Sequence, residues 1–389
     1  MMSVALLLCP FAFTMGAFVF SGVLAPMAEA LGVSVGAAAA LQSGFAIACA
    51  LSGPLLARLT AALPRKSLLL GVLFILTVLN AGSAVAPDYP SLLVLRILVG
   101  GLGALAFPLA TAIAATNASE EGRPAAIAKV YAGIPLAMIA GIPLGSVLGN
   151  AFGWQACFAA TALFCALAFA MVLACVPSNQ PDPQKTAVTN GALNKGVLAH
   201  LGIMLLASTA LFTLVGLLGP VIRALTGFGG PGIAALQVLA GVGSLVGIKM
   251  GARQAGGGRY LLSGLFAILA ASLAVTVPSL SLQHAGTAGL IAITLSVILG
   301  PIAQFAIGAT VQARLARLAG PSATLVFALN ASMVYLGQGL GIALGALALD
   351  LAGIAGAPAI GTVIALIGCL FALRLGRSAA QQNLQTARG

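Results

Sequence analysis

Long apolar runs separated by short polar breaks fill the chain. They predict helices near residues 4–24, 35–57, 67–86, 91–114, 126–148, 154–176, 197–218, 233–250, 261–277, 286–307, 323–347 and 354–375. A run of about twenty apolar residues crosses roughly 30 Å of hydrocarbon as a helix. Lipid leaves only helices or closed barrels as spanning structures, and barrel strands alternate apolar and polar residues. These runs do not alternate. The expected fold class is therefore an all-α polytopic membrane protein with twelve transmembrane helices. The first run lacks a basic flank and contains Pro10, Gly16 and Gly22, so it reads as a spanning helix rather than a signal peptide.

One break differs from the others. From Pro177 to Asn194 the chain reads PSNQPDPQKTAVTNGALN, the one long polar stretch before the tail, and it parts six helices from six. The expected organisation is a six-helix bundle over 1–176, a cytoplasmic linker over 177–196, a second bundle over 197–376 and a tail over 377–389. The halves also repeat: Gly141, Gly145 and Gly149 in the fifth helix recur as Gly337, Gly341 and Gly345 in the eleventh, 196 residues later. Small residues at every fourth position form a stripe that admits a close neighbouring helix. Paired six-helix halves that hold a substrate near the membrane midplane are a transporter design.

Composition sharpens this reading. Charged residues make up 6% of the chain and apolar residues 61%, against about a quarter charged in soluble domains; the mean hydropathy is +1.14. The net charge of +11 is a topology signal and does not point to nucleic acid. Every Lys and Arg except Arg96 and Arg223 falls at an even-numbered connection or in the tail, which places both termini in the cytoplasm of a multi-pass bacterial inner (plasma) membrane protein. The six cysteines lie in or at the ends of apolar runs without CxxC or His-paired spacing, so they read as small hydrophobes. No metal or cofactor is expected. His200 and His284 stand beside no acid, and no HExxH, nucleophile elbow or Walker loop occurs. An enzyme is the less favoured reading, ATP-driven export by this chain alone is excluded, and a channel lacks a visible filter or charge ring.

Four segments carry a family resemblance. LARLTAALPRKSLLLG, with Arg65 and Lys66 at its basic end, lies between helices 2 and 3. The fourth helix reads Leu95-Arg96-Ile97-Leu98-Val99-Gly100-Gly101-Leu102-Gly103. The fifth contains Ala140-Gly141-Ile142-Pro143-Leu144-Gly145, then Gly149 and Phe152-Gly153-Trp154-Gln155. The eleventh contains Asn330-Ala331-Ser332 and Tyr335-Leu336-Gly337-Gln338. Together these resemble the major facilitator superfamily, in particular its twelve-helix drug:proton antiporters of the sugar, arabinose-type and purine-nucleoside efflux kind. The resemblance implies two pseudo-symmetric bundles, a kinked fifth helix at Pro143, and Arg96 facing the interior as the proton-coupling candidate. An arginine inside a span is a functional candidate in its own right; the alternative is that it snorkels to the interface.

The chain departs from that family at several positions. Ala61 and Ala62 replace the loop's usual Asp and Arg, Gln155 replaces an Arg, and Gly16 and Ala17 occupy the region where relatives carry a first-helix acid. The six acids (Glu29, Asp88, Glu120, Glu121, Asp182 and Asp350) all lie at helix ends or in loops. A cavity without a buried acid disfavours strongly cationic solutes. Candidate cavity groups are Thr14, Phe18, Gln42, Gln237, Gln304, Phe305, Asn330, Tyr335 and Gln338. The expected function is secondary transport, as efflux of a small neutral or anionic organic solute such as a nucleoside, sugar or neutral antibiotic, by alternating access. A facilitator or an importer is the alternative. The expected partners are that solute, the lipid bilayer and, by resemblance, protons; the chain is expected to act as a monomer.

Overall fold

In the computed structural model, the described residues are 1–60, 62–177, 194–254, 258, 260–281, 286–319 and 323–386. Ala61, Asp182, Lys185, Arg259, His284, Arg388 and most of the expected linker lie outside them. Among the described residues twelve helices are long and apolar enough to span a membrane: α1 Met2–Ala30, α2 Val35–Leu59, α3 Arg65–Ala84, α4 Tyr89–Thr116, α5 Ala125–Phe152, α6 Gln155–Cys175, α7 Lys195–Val215, α8 Gly230–Arg253, α9 Leu261–Ser281, α10 Thr287–Leu318, α11 Leu325–Ala352 and α12 Gly356–Arg377. No strand occurs among them. The chain is an all-α, multi-pass membrane protein. Its large exposed side chains, such as Phe74, Val78, Leu163 and Leu370, suit contact with lipid, where a soluble protein would have to hide them.

Caps fix several helix starts. Ser34 accepts from the Ala37 N–H at 3.0 Å, Asp88 from Ser91 at 2.8 Å and Asn194 from Val197 at 2.9 Å, each meeting one of the orphan amides of a first turn. The largest differences from expectation are at α10, whose helix continues past 307 to Ala319, and at α12, whose helix continues past 375 to Thr386, through most of the expected tail. The α10 extension, GATVQARLARL, is too polar to register as an apolar run, but its residues are good helix formers.

Among the described residues four spans are broken internally. In α1 a helix over Met2–Phe18 gives way to a 3-10 turn at Ser21–Val23 and resumes at Leu24–Ala30. In α4 the helix breaks after Gly103 and resumes at Ala106; Pro108 removes the donor that would bond the Ala104 carbonyl. In α5 a π-turn at Ala137–Gly141 precedes Pro143, a local irregularity of the kind at which helices bend. In α9 the helix ends at Ala274 and resumes at Val277, one residue before Pro278.

The chain divides into two compact units. The first comprises Met1–Lys185, Leu218–Arg223 and Phe228–Gly241, and the second Thr186–Leu217, Ala224–Gly227 and Val242–Gly389. Span α8 is thus shared, passing from one unit to the other after Gly241. The most buried spans are α1 in the first unit and α7 in the second.

The glycine stripes explain why those two helices are so buried. In the first unit, Gly141, Gly145 and Gly149 lie against Met15, the Val19 carbonyl and Val23 of α1. In the second, Gly337, Gly341 and Gly345 lie against the carbonyls of Leu205, Thr209 and Thr213 of α7. The repeat in sequence is thus a repeat in packing. A third stripe, Gly243, Gly247 and Gly251 of α8, rests on the Ile298, Ile302 and Ala306 carbonyls of α10. Close backbone approach of this kind substitutes for a hydrophobic driving force that helices in lipid lack.

Candidate functional site

Within the first unit α4 carries Arg96, which has 0% exposure. Snorkelling is thereby ruled out, because the guanidinium never reaches an interface. Its Nη2 donates to Asn80 Oδ1 at 2.9 Å and to Ser83 Oγ at 2.8 Å, and its Nη1 donates to the Gly16 carbonyl at 3.3 Å. Its carbon Cζ stands 4.6 Å from the Phe158 ring centroid, a cation–π distance. Phe158 is itself braced by Phe20, with centroids 5.4 Å apart, and by Trp154 at 5.9 Å. Four spans therefore build this site: α1, α3, α4 and α6.

The partners follow from local sequence. Asn80 and Ser83 are three apart, hence on one face of α3, and each also ties itself to its own helix: Asn80 Nδ2 donates to the Leu76 carbonyl at 2.8 Å and Ser83 Oγ to the Leu79 carbonyl at 2.7 Å. An asparagine and a serine in the otherwise apolar run LLLGVLFILTVLNAGSA were the available signal for them. Gly16 brings only a backbone carbonyl to the arginine. Every polar partner of Arg96 among the described residues is neutral. Its Nε is buried and without a hydrogen-bond partner. An arginine keeps its proton in a protein, so a full positive charge sits here. Burying an ion costs several kcal/mol even after relaxation, and each charge-assisted bond returns about 1.5–3 kcal/mol.

The charge stands alone in another respect. Among the described residues Arg96 is the one buried member of the Lys, Arg, Asp and Glu set, and Glu29, Asp88, Glu120, Glu121 and Asp350 are all exposed. None of them joins the arginine.

The other sequence candidates separate into two groups. Gln237 has both amide ends engaged inside the first unit: Ser146 Oγ donates to its Oε1 at 2.6 Å, and its Nε2 donates to Ser21 Oγ at 3.2 Å. Sequence reasoning missed both serines, which lie beside glycines in otherwise apolar runs. The other amides keep free ends. Gln42 is 2% exposed, and neither its Oε1 nor its Nε2 has a partner. In the second unit Gln304 donates through Nε2 to Ser208 Oγ at 3.0 Å while its Oε1 stays unpartnered. Asn330 is buried with Oδ1 unpartnered. Thr14 and Phe18 are buried, and Phe305, Tyr335 and Gln338 are half-buried. Buried polar groups ordinarily find partners, so these orphan atoms are exceptions to that rule.

The motif glycines of α4 serve close packing. Gly100 lies on the Phe45 backbone of α2, and Gly103 faces the Phe13 ring of α1. In the loop motif, Lys66 Nζ donates to the carbonyls of Leu173 at 3.2 Å and Val176 at 2.6 Å. It therefore caps the end of α6, a role its position in a membrane-facing basic loop did not suggest. Gly153, at φ 86°, makes the turn between α5 and α6 in a conformation that favours glycine. Among the described residues no His, Cys, Asp and Glu group is arranged to hold a metal.

Comparison with known proteins agrees with this architecture. The chain is 29% identical over 374 residues to the inner membrane transport protein YdhP of Escherichia coli K12, covering 94% of each chain. It is 34% identical over 247 residues to a chloramphenicol resistance protein of Streptomyces lividans, covering 61% of this chain and 62% of that one. Among solved structures it is similar to a bacterial homologue of the human lysosomal transporter Spinster in an inward-facing, occupied conformation, with a TM-score of 0.79 at 16% identity and 96% of both chains covered. It is also similar to a D-xylose-proton symporter, with a TM-score of 0.73 at 16% identity, covering 96% of this chain and 97% of that one. The family model described as Major Facilitator Superfamily matches residues 6–324, and with twelve spans, paired glycine stripes and a buried α4 arginine the chain belongs to that superfamily of membrane transporters.

Proposed function

We propose that this transporter exports a small neutral or anionic organic solute by alternating access, and that the solute's charge is never that of a strong cation. The observation that carries this reading is the charge balance around Arg96: one buried positive charge, neutral partners, and exposed acids among the described residues. A cationic solute entering such a site meets repulsion in a medium where charges are poorly screened. In the first unit the orphan ends of Gln42 supply hydrogen bonds to hydroxyls, amides or a heterocycle. Export is supported by the relative named for chloramphenicol resistance, chloramphenicol being a neutral antibiotic. Both termini lie in the cytoplasm on this reading, from the placement of Lys and Arg in the sequence, and the protein acts as a monomer.

Proton exchange through Arg96, which the family resemblance implies, needs a partner that titrates. The groups bonded to Arg96 are an amide, a hydroxyl and a peptide carbonyl, and none of these takes up a proton near neutral pH. This argues against proton antiport at that residue and leaves net export to follow the solute's own gradient. The test is flux in proteoliposomes with a panel of nucleosides, sugars, chloramphenicol and cationic dyes, with and without a pH gradient, for the native protein and Arg96→Ala. Flux of a neutral or anionic solute that ignores the gradient is the expected result. Transport of the dyes, or their competition with the solute, overturns the charge argument.

A further inference from the structure

We propose that the Nε side of Arg96 is a binding site for a monovalent anion, either a halide ion or the carboxylate of a small organic acid. Arg96 has five N–H donors, and three are used, on Asn80, Ser83 and the Gly16 carbonyl. The Nε donor is buried and unmet. The side chain carries a whole positive charge at 0% exposure, and the acids among the described residues are all exposed. An isolated buried charge is among the costliest features a protein can hold, and an orphan donor on the same group adds to that cost. A monovalent anion beside Nε meets both deficits with one ligand. Asn80 Oδ1, Ser83 Oγ and the Gly16 carbonyl all turn their negative ends toward the guanidinium and hold it fixed, leaving the Nε donor unmet. A divalent anion would reverse the imbalance instead of closing it.

The chain carries its own reporter. Its single tryptophan is Trp154, whose ring meets Phe158 edge-on at 5.9 Å, and Phe158 lies under the Arg96 guanidinium. Bromide, a heavy-atom quencher, bound beside Arg96 sits within two side chains of this fluorophore. The experiment titrates bromide into the detergent-solubilised full chain at constant ionic strength, using the sodium salt of a bulky sulfonate buffer as balance, and follows tryptophan emission. A saturating component is expected, with its midpoint moving upward in proportion to added chloride. Competition by acetate or benzoate as well as chloride identifies a carboxylate-accepting site, and competition by chloride alone a halide site. Asn80→Asp is nearly isosteric and puts a carboxylate in bonding contact with Arg96, so it supplies the missing charge internally and removes the saturating component. Arg96→Gln removes it by deleting the charge. Quenching by the native protein that is linear in bromide and indifferent to chloride overturns the proposal, as does a saturating component undiminished in Asn80→Asp. No transport is measured, so the result is independent of which solute the protein moves.

Discussion

Asn80 Oδ1 receives a hydrogen bond from Arg96 Nη2 at 2.9 Å across the α3–α4 boundary, while Asn80 Nδ2 holds the Leu76 carbonyl one turn back at 2.8 Å. The amide is thereby locked in one orientation, with its oxygen toward the cation. A carboxylate would have bound the arginine more strongly but would also have cancelled its charge. An amide fixes the guanidinium and leaves the charge unspent.

Ser83→Ala tests how much that scaffold contributes. The substitution removes one of three bonds to a buried charged group, and bonds of that kind are worth about 1.5–3 kcal/mol. Ser83 itself is wholly buried, so water does not replace the hydroxyl. Thermal unfolding of the purified protein is expected to fall by a corresponding amount, and Asn80→Ala and Ser83→Ala together should lose other than the sum of the two, because they share Arg96. Strict additivity would mean that the two groups hold the arginine independently.

The stripes give a paired prediction. A Cβ at Gly145 would overlap the Val19 carbonyl, and one at Gly341 the Thr209 carbonyl. Gly145→Ala and Gly341→Ala should each push two helices apart and cost about 1–3 kcal/mol, the usual range for overpacking. Gly71→Ala in α3 is the control: nothing lies within 4 Å of its Cβ position, and alanine favours the helix by about 1 kcal/mol. Equal losses at Gly145 and Gly341, read as melting temperatures, would establish that the repeat is mechanical as well as sequential. A Gly145→Ala protein as stable as the native one would contradict the packing.

Spans, stripes and the charge inside α4 were legible because each depends on local composition. A twenty-residue apolar run, a four-residue spacing and a charge within a helix need no knowledge of neighbours. The shell around Arg96 was not legible. Asn80 and Ser83 lie 16 and 13 residues from Arg96 in sequence and become partners only when α3 turns that face toward α4. The partners of Gln237 were not legible either. A lone amide in a span reads as a cavity group, yet Ser21 and Ser146 occupy both its ends from 216 and 91 residues away. The length of α10 was missed because hydropathy marks where a helix meets lipid and not where it ends.

Gln237→Leu follows from that finding. It leaves the Ser21 and Ser146 hydroxyls buried without their partner, and an unmet buried group costs about 1–3 kcal/mol. Around this amide Gly230 lies against Asn150 and Gly241 against Ile139, so the first half of α8 is held to α5 by close packing plus one three-way polar clasp. Hydrogen exchange followed by mass spectrometry should show faster exchange in Ser21–Val23 and Phe228–Gly241 and little change in α3. Uniformly faster exchange would indicate global destabilisation instead of a local clasp.

Asp88 supplies the pH-dependent case. It caps α4 by accepting from Ser91, and its hydrogen bonds to the Ser91 side chain and then to the Ser91 backbone hold its carboxyl below the ordinary carboxylate value. A folded-state value below the unfolded one, which is about 3.9 for aspartate, means the unfolded chain binds the proton more readily. The capping contribution is therefore complete above the unfolded value and disappears as pH falls through the lower folded value. Asp88 is exposed, so salt and water moderate the effect. Asp88→Asn keeps a capping acceptor without a titrating group. Below about pH 4 its melting temperature should fall less steeply with acid than that of the native protein, and near pH 7 the two should differ little. Parallel acid profiles for the two proteins would show that the bond to Ser91 does not distinguish the carboxylate from an amide, and the cap would then act by geometry alone.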